Sequence, residues 1–198
     1  MRKTKISQFI IGLILLCSII LETKQEEIKG VDFVKGINEK NKESNIGPYK
    51  TSTNSRCAVT ASIKKQANNL TRGLTSVLAK AKAIFNFVRD NISYTYYNNS
   101  GKGADKTLAT KSGNCCDQAN LVVALCRASG IPVKYAHGQS TYFYYSKTTY
   151  SGHIWAQILV GDTWYAADPT GRQNSLGVIK NWNYHSFKNL KQYTLLPF

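Results

Sequence analysis

Histidine, cysteine and acidic residues are scarce in this 198-residue chain, which limits the chemistry it can perform. There are 3 His and 5 Cys, and no pair of Cys residues has the spacing of a zinc site, so we expect free thiols and no bound metal. Only 11 Asp and Glu stand against 26 Lys and Arg, giving a formal net charge of +15. Internal repeats and low-complexity segments are also missing, and the length fits one domain with a tail.

The chain has no hydrophobic run of membrane-spanning length. As a helix, Phe9–Leu21 would extend about 20 Å, against roughly 30 Å for the core of a bilayer. Basic residues precede it, so residues 1–21 are predicted to be a signal peptide. Because the bulky residues Ile19, Ile20 and Leu21 offer no small-residue cleavage site, an uncleaved N-terminal anchor is the alternative. We expect an exported protein, located extracellularly, in the cell wall or anchored to the membrane.

Two composition changes divide the rest of the chain. Residues 22–49 mix charges with scattered apolar side chains, which is typical of a solvated linker. Residues 50–198 are numerous enough to bury a core of their own, so we expect one domain there. Apolar side chains at helical spacing predict helices over 56–70 and 74–91.

A thiol lies where a loop turns into an apolar helix, in the segment GNCCDQANLVVALCRASGI (113–131). Between residues 119 and 128 only Asn120 and Arg127 are polar, so the helix is predicted to run through the core. Cys115 and Cys116 fall in its first turn. The unpaired N–H groups and the helix dipole favour a thiolate there.

The helix dipole cannot activate this thiol alone. Lowering a thiol pKa by about 2 units takes roughly 2.7 kcal/mol, whereas a helix end supplies about 0.3–1 kcal/mol. A cationic partner is therefore required, and a histidine that also acts as the base is the usual one.

One hairpin offers that histidine together with a carboxylate. The segment GHIWAQILVGDTWYAADPT (152–170) alternates like a strand, breaks at Gly161-Asp162 and resumes, which predicts a two-residue β-hairpin. In that register Trp155 faces Asp168, and His153 lies one diagonal step away on the same sheet face. With Cys115 opposite the ring, the set would be a Cys115/His153/Asp168 triad.

The strings SGNCCDQANLVVALCRASGIPVKYAHG and GHIWAQILVGDTWYAADPT resemble the transglutaminase-like (papain-like) cysteine peptidase superfamily. Within it, RQNSLGVIKNWN and KAIFNFVRDNISYTYYNNSGKGADKTL are similar to the archaeal pseudomurein endoisopeptidases and related domains of methanogen surface proteins. The resemblance covers roughly 50–198. The superfamily's catalytic residues fall on Cys115, His153 and Asp168, which selects Cys115 over Cys116. Wall-binding repeats that often precede the domain in that group are missing from this chain.

The resemblance implies an α+β, papain-like fold: a helical N-terminal half, with the central Cys-bearing helix packed on an antiparallel sheet. It also implies the activity, which is hydrolysis of an isopeptide bond to a lysine side chain in pseudomurein through an acyl-enzyme. Related enzymes are associated with divalent cations, particularly calcium. The sequence contains no metal-ligand cluster, so we expect no required cofactor and at most a weak calcium dependence.

Further residues are candidates for supporting roles. The backbone N–H of Cys115 is expected to serve the oxyanion hole, with a second donor from Asn114 or from one of Tyr94, Tyr96 and Tyr97. The tyrosine-rich segments 94–99 and 140–151 are expected to be half-buried strands. The alternative is that residues 142–145 line the substrate cleft. The cleft candidates are Trp155, Tyr144, Asn174 and Trp182.

The positive charge favours an anionic partner. Residues 52–198 carry 17 Lys and Arg against 5 Asp and Glu. A wall polymer bearing carboxylates or a membrane surface fits this charge, and nucleic acid does not, because no recognised motif is present. We expect a monomer that acts on the pseudomurein wall peptide.

Two other functions stay open at this stage. The same triad would make cross-links if an amine reached the acyl-enzyme before water, which is transglutaminase chemistry. Alternatively, the domain would be an inactive surface adhesion or wall-binding module. The presence of Cys115, His153 and Asp168 argues against this alternative.

Overall fold

The structure is a computed structural model that describes residues 38–198. Its helices are α1 (Gly47–Thr51), α2 (Ala61–Thr71), α3 (Val77–Asn91), α4 (Gly103–Thr110) and α5 (Cys115–Ala128). Its strands are β1 (Glu39–Lys40), β2 (Ser93–Tyr94), β3 (Ser112–Gly113), β4 (Val133–Phe143), β5 (Thr148–Val160), β6 (Thr163–Ala167), β7 (Trp182–Asn183) and β8 (Lys188–Tyr193). The predicted leader, residues 1–21, lies outside the described residues. None of the helices within 38–198 has the length and hydrophobicity that membrane crossing requires.

Most of the strands form one antiparallel sheet. Its order is β1-β6-β5-β4-β7, and β8 pairs with β4 beside β7. The long hairpin of β4 and β5 forms the centre of the sheet. Two short strands, β2 and β3, pair in parallel away from it. All five helices of residues 38–198 precede β4 in the chain, and α5 packs against β4 and β5, so the expected α+β arrangement is confirmed.

Helix α5 runs through the core, as its sequence predicts. Every residue from Cys116 to Arg127 is buried, including the charged and amide side chains. The helix packs on α2, α3 and α4 on one side and on β4 and β5 on the other. Each fully buried aliphatic side chain in it contributes about 1.5–3 kcal/mol relative to an exposed one.

The ends of α5 follow from its flanking residues. The Asn114 side-chain oxygen accepts the N–H of Asp117 at 3.0 Å and caps the first turn. At the other end Gly130 has φ +70°, and Ile131 donates its N–H to the carbonyl of Cys126 at 2.9 Å. A glycine tolerates that left-handed conformation, so the helix stops where the sequence indicates.

The hairpin register agrees with the predicted turn. Gly161 and Asp162 lie between β5 and β6, and Ala156 pairs with Ala167.

The two helices predicted over 56–70 and 74–91 begin later in the structure than the sequence predicts. Thr60 and Ser76 cap α2 and α3 by accepting N–H groups three residues on, so these helices start at Ala61 and Val77.

Residues 38–49 are part of the fold, so the predicted linker is wrong over this stretch. Strand β1 pairs with β6, and the buried Asn38 side chain bonds the backbone of Ala166 and Gly177. Glu39 also forms an ion pair with Lys134, in which Oε1 lies 3.1 Å from the lysine Nζ. Lys134 is 3% exposed, and its ammonium needs a carboxylate partner there.

Candidate active site

Cys115 is the first residue of α5 and is half-buried. The parallel pairing of β2 with β3 places Tyr94 opposite Gly113, two residues before Cys115. This ladder brings the segment that follows α3 to the start of α5. The backbone N–H of Cys115 belongs to the first helical turn, where amides have no acceptor within the helix.

His153 and Asp168 meet across the hairpin, as the register predicts. The imidazole Nε2 lies 2.9 Å from Asp168 Oδ2, and the two residues are 3% and 0% exposed. Since Nε2 binds the carboxylate, Nδ1 is the ring nitrogen left for a thiol. A carboxylate in this position orients the ring and stabilises its cation.

Asp168 is held by donors on both oxygens. Trp182 donates its indole N–H to Oδ2 at 2.6 Å. Thr170 donates its backbone N–H and its hydroxyl to Oδ1 at 3.0 and 2.7 Å. Burial raises the pKa of Asp168, but the charge of His153 and these donors outweigh it and keep the pKa below its ordinary value.

Cys115 and His153 lie close enough to shift each other's pKa. Burial lowers the pKa of His153, but the charge and hydrogen bond of Asp168, together with Cys115, raise it to about 10. The pKa of Cys115 lies well below its ordinary value. A hydrogen bond from Cys116 is the largest cause; burial opposes it, and His153 and the N–H of Ile154 add to it. The arrangement favours a thiolate–imidazolium pair at neutral pH.

The Cys116 thiol has a part that the sequence did not indicate. It is buried, and its hydrogen bond to Cys115, followed by burial, raises its own pKa. Cys116 therefore stays protonated and acts as a donor to the neighbouring sulfur. The adjacency of the two thiols was the only signal for this in the sequence.

The buried Asp117 carboxylate organises the loop that precedes α4. It accepts hydrogen bonds from the Tyr97 hydroxyl, the Ser100 hydroxyl and the backbone N–H groups of Gly101, Lys102 and Gly103. Burial raises the pKa of Asp117, but these donors prevail and lower it. The Asp117 side chain therefore fixes residues 97–103 beside Cys115.

Cys115 and His153 open into a cleft of about 1050 Å³. Its walls come from residues 94–99, from the tip of the β4–β5 hairpin and from the loop after Asp168. Of the tyrosine-rich segment 142–145, Phe143, Tyr144 and Tyr145 form part of the second wall, and Tyr144 and Tyr145 are 51% and 100% exposed. The expected strand therefore ends at Phe143, and a turn carries these two tyrosines.

Of the four cleft candidates, Tyr144 alone lines the cleft. Trp155, Asn174 and Trp182 are each at most 1% exposed, so the expectation that they line it is wrong. They support the site from behind. The Trp155 ring stacks on His153 with centroids 6.0 Å apart, and Asn174 donates to the carbonyl of Asp168 at 2.9 Å.

The oxyanion candidates separate by their hydrogen bonds. Asn114 donates its amide hydrogens to the carbonyls of Tyr97 and Asn99 at 2.8 and 2.6 Å, which leaves none for an oxyanion. The Tyr97 hydroxyl already serves Asp117, and Tyr96 is 68% exposed at the rim. Tyr94 is the remaining candidate. Burial, followed by the charge of Cys115, raises its pKa, so its hydroxyl keeps its proton.

The part of the chain that the structure describes contains no group of three or more His, Cys, Asp or Glu that could hold a metal ion. His137 also lines the cleft, on β4. Burial is the main cause of its lowered pKa, which favours the neutral ring.

Comparison with known proteins gives the chain its family. A model of the transglutaminase-like superfamily matches residues 64–169, a little over half of the chain, and this range includes Cys115, His153 and Asp168. No curated protein sequence matches. Nothing in these comparisons relates the chain to the pseudomurein enzymes in particular.

Several solved structures are similar. One from Cytophaga hutchinsonii, named "Putative Cysteine Protease", is 22% identical with a TM-score of 0.56. The aligned region covers 82% of this chain and 58% of the other protein's chain. The periplasmic domain of TgpA from Pseudomonas aeruginosa is 20% identical with a TM-score of 0.46, covering 62% of this chain and 45% of its own. Red sea bream transglutaminase is 13% identical with a TM-score of 0.42, covering 57% of this chain and 27% of its own.

The first of these structures supports the fold, and this chain spans less than two thirds of its length. The papain-like, transglutaminase-like α+β fold expected from the sequence is thereby confirmed. Together with the family match over residues 64–169, it shows that the chain belongs to the transglutaminase-like superfamily.

Proposed function

We propose that this protein is a cysteine peptidase that hydrolyses an isopeptide bond, with Cys115, His153 and Asp168 as its catalytic triad. The observation that carries the proposal is the buried His153 ring, which binds Asp168 through Nε2 at 2.9 Å and lies close enough to Cys115 for the two groups to shift each other's pKa. A nucleophile, a base and an orienting carboxylate in this order are what acyl transfer needs.

The reaction proceeds through an acyl-enzyme. The Cys115 thiolate attacks the amide carbonyl carbon and forms a C–S bond. His153 then gives its proton to the departing amine as the C–N bond breaks. Water, deprotonated by the now neutral His153, attacks the thioester and releases the carboxylic acid, and the proton returns the site to its ion-pair form. Asp168 stabilises the imidazolium and keeps Nδ1 facing the sulfur.

The oxyanion of the tetrahedral intermediate is bound by the backbone N–H of Cys115 and the hydroxyl of Tyr94. The helix start supplies the first donor with its positive dipole end. Tyr94, which carries the second donor, pairs with Gly113 in the β2–β3 ladder, two residues before Cys115. A phenol that remains protonated beside a thiolate is a competent donor.

The substrate proposed is the lysine-linked peptide of archaeal pseudomurein, and the protein acts outside the cell or attached to its surface, as a monomer without a required cofactor. What supports this substrate is the resemblance of residues 50–198 to the pseudomurein endoisopeptidases. The basic surface and the open cleft of about 1050 Å³ are compatible with an anionic wall polymer.

The test compares full-length wild-type, Cys115→Ala and Cys116→Ala proteins on pseudomurein-walled cells in anoxic, reducing buffer. We expect wild type to lyse the cells and to release new lysine ε-amino groups, which are measured by amine labelling. Cys115→Ala should release none, and Cys116→Ala should keep activity.

Three outcomes would contradict the proposal in different ways. Loss of activity only in Cys116→Ala would mean that Cys116, and not Cys115, is the nucleophile. Incorporation of a labelled primary amine, in place of hydrolysis, would indicate a transglutaminase. Binding to the wall by both wild type and Cys115→Ala without any bond cleavage would indicate a wall-binding module.

A further inference from the structure

Apart from the Cys115–His153 pair itself, the charged residues that line the cleft have one sign. Arg172 and Lys180 are exposed there, and no Asp or Glu belongs to the lining residues of the described chain. The buried carboxylates nearest the cleft, Asp117 and Asp168, lie behind it and are satisfied by their own donors. A ligand in the cleft therefore meets two cations on one wall and neutral tyrosines on the opposite wall.

Both cations belong to one folded loop. Asn174, 1% exposed, bonds the carbonyl of Asp168 and the Asn181 side chain, and its oxygen accepts the N–H of Lys180 at 2.8 Å. Gly171 packs so closely on Asn181 that a Cβ there would approach its side chain to 2.5 Å. These contacts fix the backbone that carries Arg172 and Lys180 relative to the catalytic carboxylate.

Neither cation is neutralised by an ion pair within residues 38–198. Arg172 lies near enough to Asp90 to lower the pKa of that carboxyl, but Arg89 already binds both Asp90 oxygens, at 2.8 and 2.9 Å. The Lys180 side chain forms no ion pair with an Asp or Glu of the described residues. Two cations without an ion-pair partner, in the same cleft as a nucleophile, attract an anion into that cleft.

We infer that Arg172 and Lys180 form a carboxylate-binding subsite of the cleft, so that the enzyme prefers substrates with a free carboxylate close to the bond it cleaves. This inference rests on the proposed function, since it assigns the substrate class of the same site. The guanidinium suits a bidentate carboxylate, and the ammonium adds a second charge.

A pair of alkylating probes tests the subsite without a known substrate. Iodoacetate and iodoacetamide both place a CH₂ group on the thiolate and release iodide, but only iodoacetate carries a carboxylate. We compare the ratio of their rate constants, measured by mass spectrometry on the peptide that contains Cys115, in full-length wild type, Arg172→Gln and Lys180→Gln. The matched control replaces Lys64 and Lys65, exposed on α2, with Gln. Cys115→Ser protein is the blank.

At low salt each cleft substitution should lower the iodoacetate-to-iodoacetamide ratio about fivefold, and added salt should reduce the difference. The control should leave the ratio unchanged. An unchanged ratio in the double Arg172→Gln, Lys180→Gln variant, with Cys115 still rapidly alkylated by iodoacetamide, would overturn the inference alone. Alkylation of Cys115 in wild type no faster than that of an ordinary free thiol would overturn the proposed function, and the subsite with it.

Discussion

The floor of the cleft and its walls are built in opposite ways. The floor consists of Cys115, His153, Asp168 and the side chains behind them; its His153 and Asp168 are 3% and 0% exposed. The walls include exposed stretches, namely most of residues 94–99 and residues 144–151, and the exposed side chains of Arg172, Gln173 and Lys180. Tyr96 and Tyr145, for example, are 68% and 100% exposed.

This difference separates chemistry from recognition. Buried groups hold their charges at fixed distances, where hydrogen bonds and a low dielectric make electrostatic effects large. Exposed side chains contact the substrate but are screened by water and lose conformational freedom on binding. We therefore expect floor substitutions to lower kcat and wall substitutions to raise KM, except at Tyr94, the wall residue proposed to bind the oxyanion.

The largest effect is expected from Asp168→Asn. Loss of the orienting charge should lower kcat about 10⁴-fold. In wild type the thiolate–imidazolium pair exists between the lowered pKa of Cys115 and the raised pKa of His153, about 10. Without Asp168, burial dominates at His153, so the alkaline limit of activity should move toward neutral pH. The pH profile of Cys115 alkylation measures this shift, and an unmoved alkaline limit would contradict it.

Tyr94→Phe should come next. If the hydroxyl binds the oxyanion, its removal should lower kcat about 10²–10³-fold and leave KM nearly unchanged. Steady-state kinetics on an isopeptide substrate provides the measurement. Tyr96→Phe, at the exposed rim, is the matched control. A similar loss in both variants would argue against an oxyanion role for Tyr94.

Cys116→Ala should have a moderate effect. It removes the largest cause of the lowered pKa of Cys115, so that pKa should rise and the thiolate should form only at higher pH. The acid limit of iodoacetamide alkylation reports the change. Cys116→Ser keeps a donor at the same place and should restore much of the shift; failure of serine to do so would indicate a packing effect.

The smallest effect is expected from Tyr144→Ala on the hairpin wall. KM should rise about three- to tenfold with kcat unchanged, because the side chain contacts substrate equally before and during reaction. Leu190→Ala, on β8 and outside the cleft lining, serves as the control. A fall in kcat for Tyr144→Ala would erase the proposed division between floor and walls.

The central helix and the hairpin could be predicted because each leaves a local pattern. An apolar run between an Asn cap and a glycine defines α5, and alternation around a two-residue turn defines β5 and β6. The register of that turn alone brings His153 to Asp168. The catalytic roles of these residues stay a prediction until the variants are measured.

Other parts of the site depend on contacts without a local pattern. Trp182 reaches Asp168 from 14 residues along the chain, through an irregular loop that periodicity cannot place. The choice among Tyr94, Tyr96 and Tyr97 depends on a two-residue parallel ladder. The charged composition of residues 38–49 indicated a linker. No local pattern in this stretch reveals that Glu39 forms an ion pair with the buried Lys134.

The turn at Gly161 and Asp162 has a consequence for how sequences with this fold can diverge. Point substitutions along β5 and β6 keep each side chain on its own face of the sheet. A one-residue insertion or deletion at the turn would reverse the faces of every residue beyond it, and Asp168 would leave the imidazole. Homologues that retain catalysis should therefore vary freely in the identity of these turn residues and hardly at all in their number.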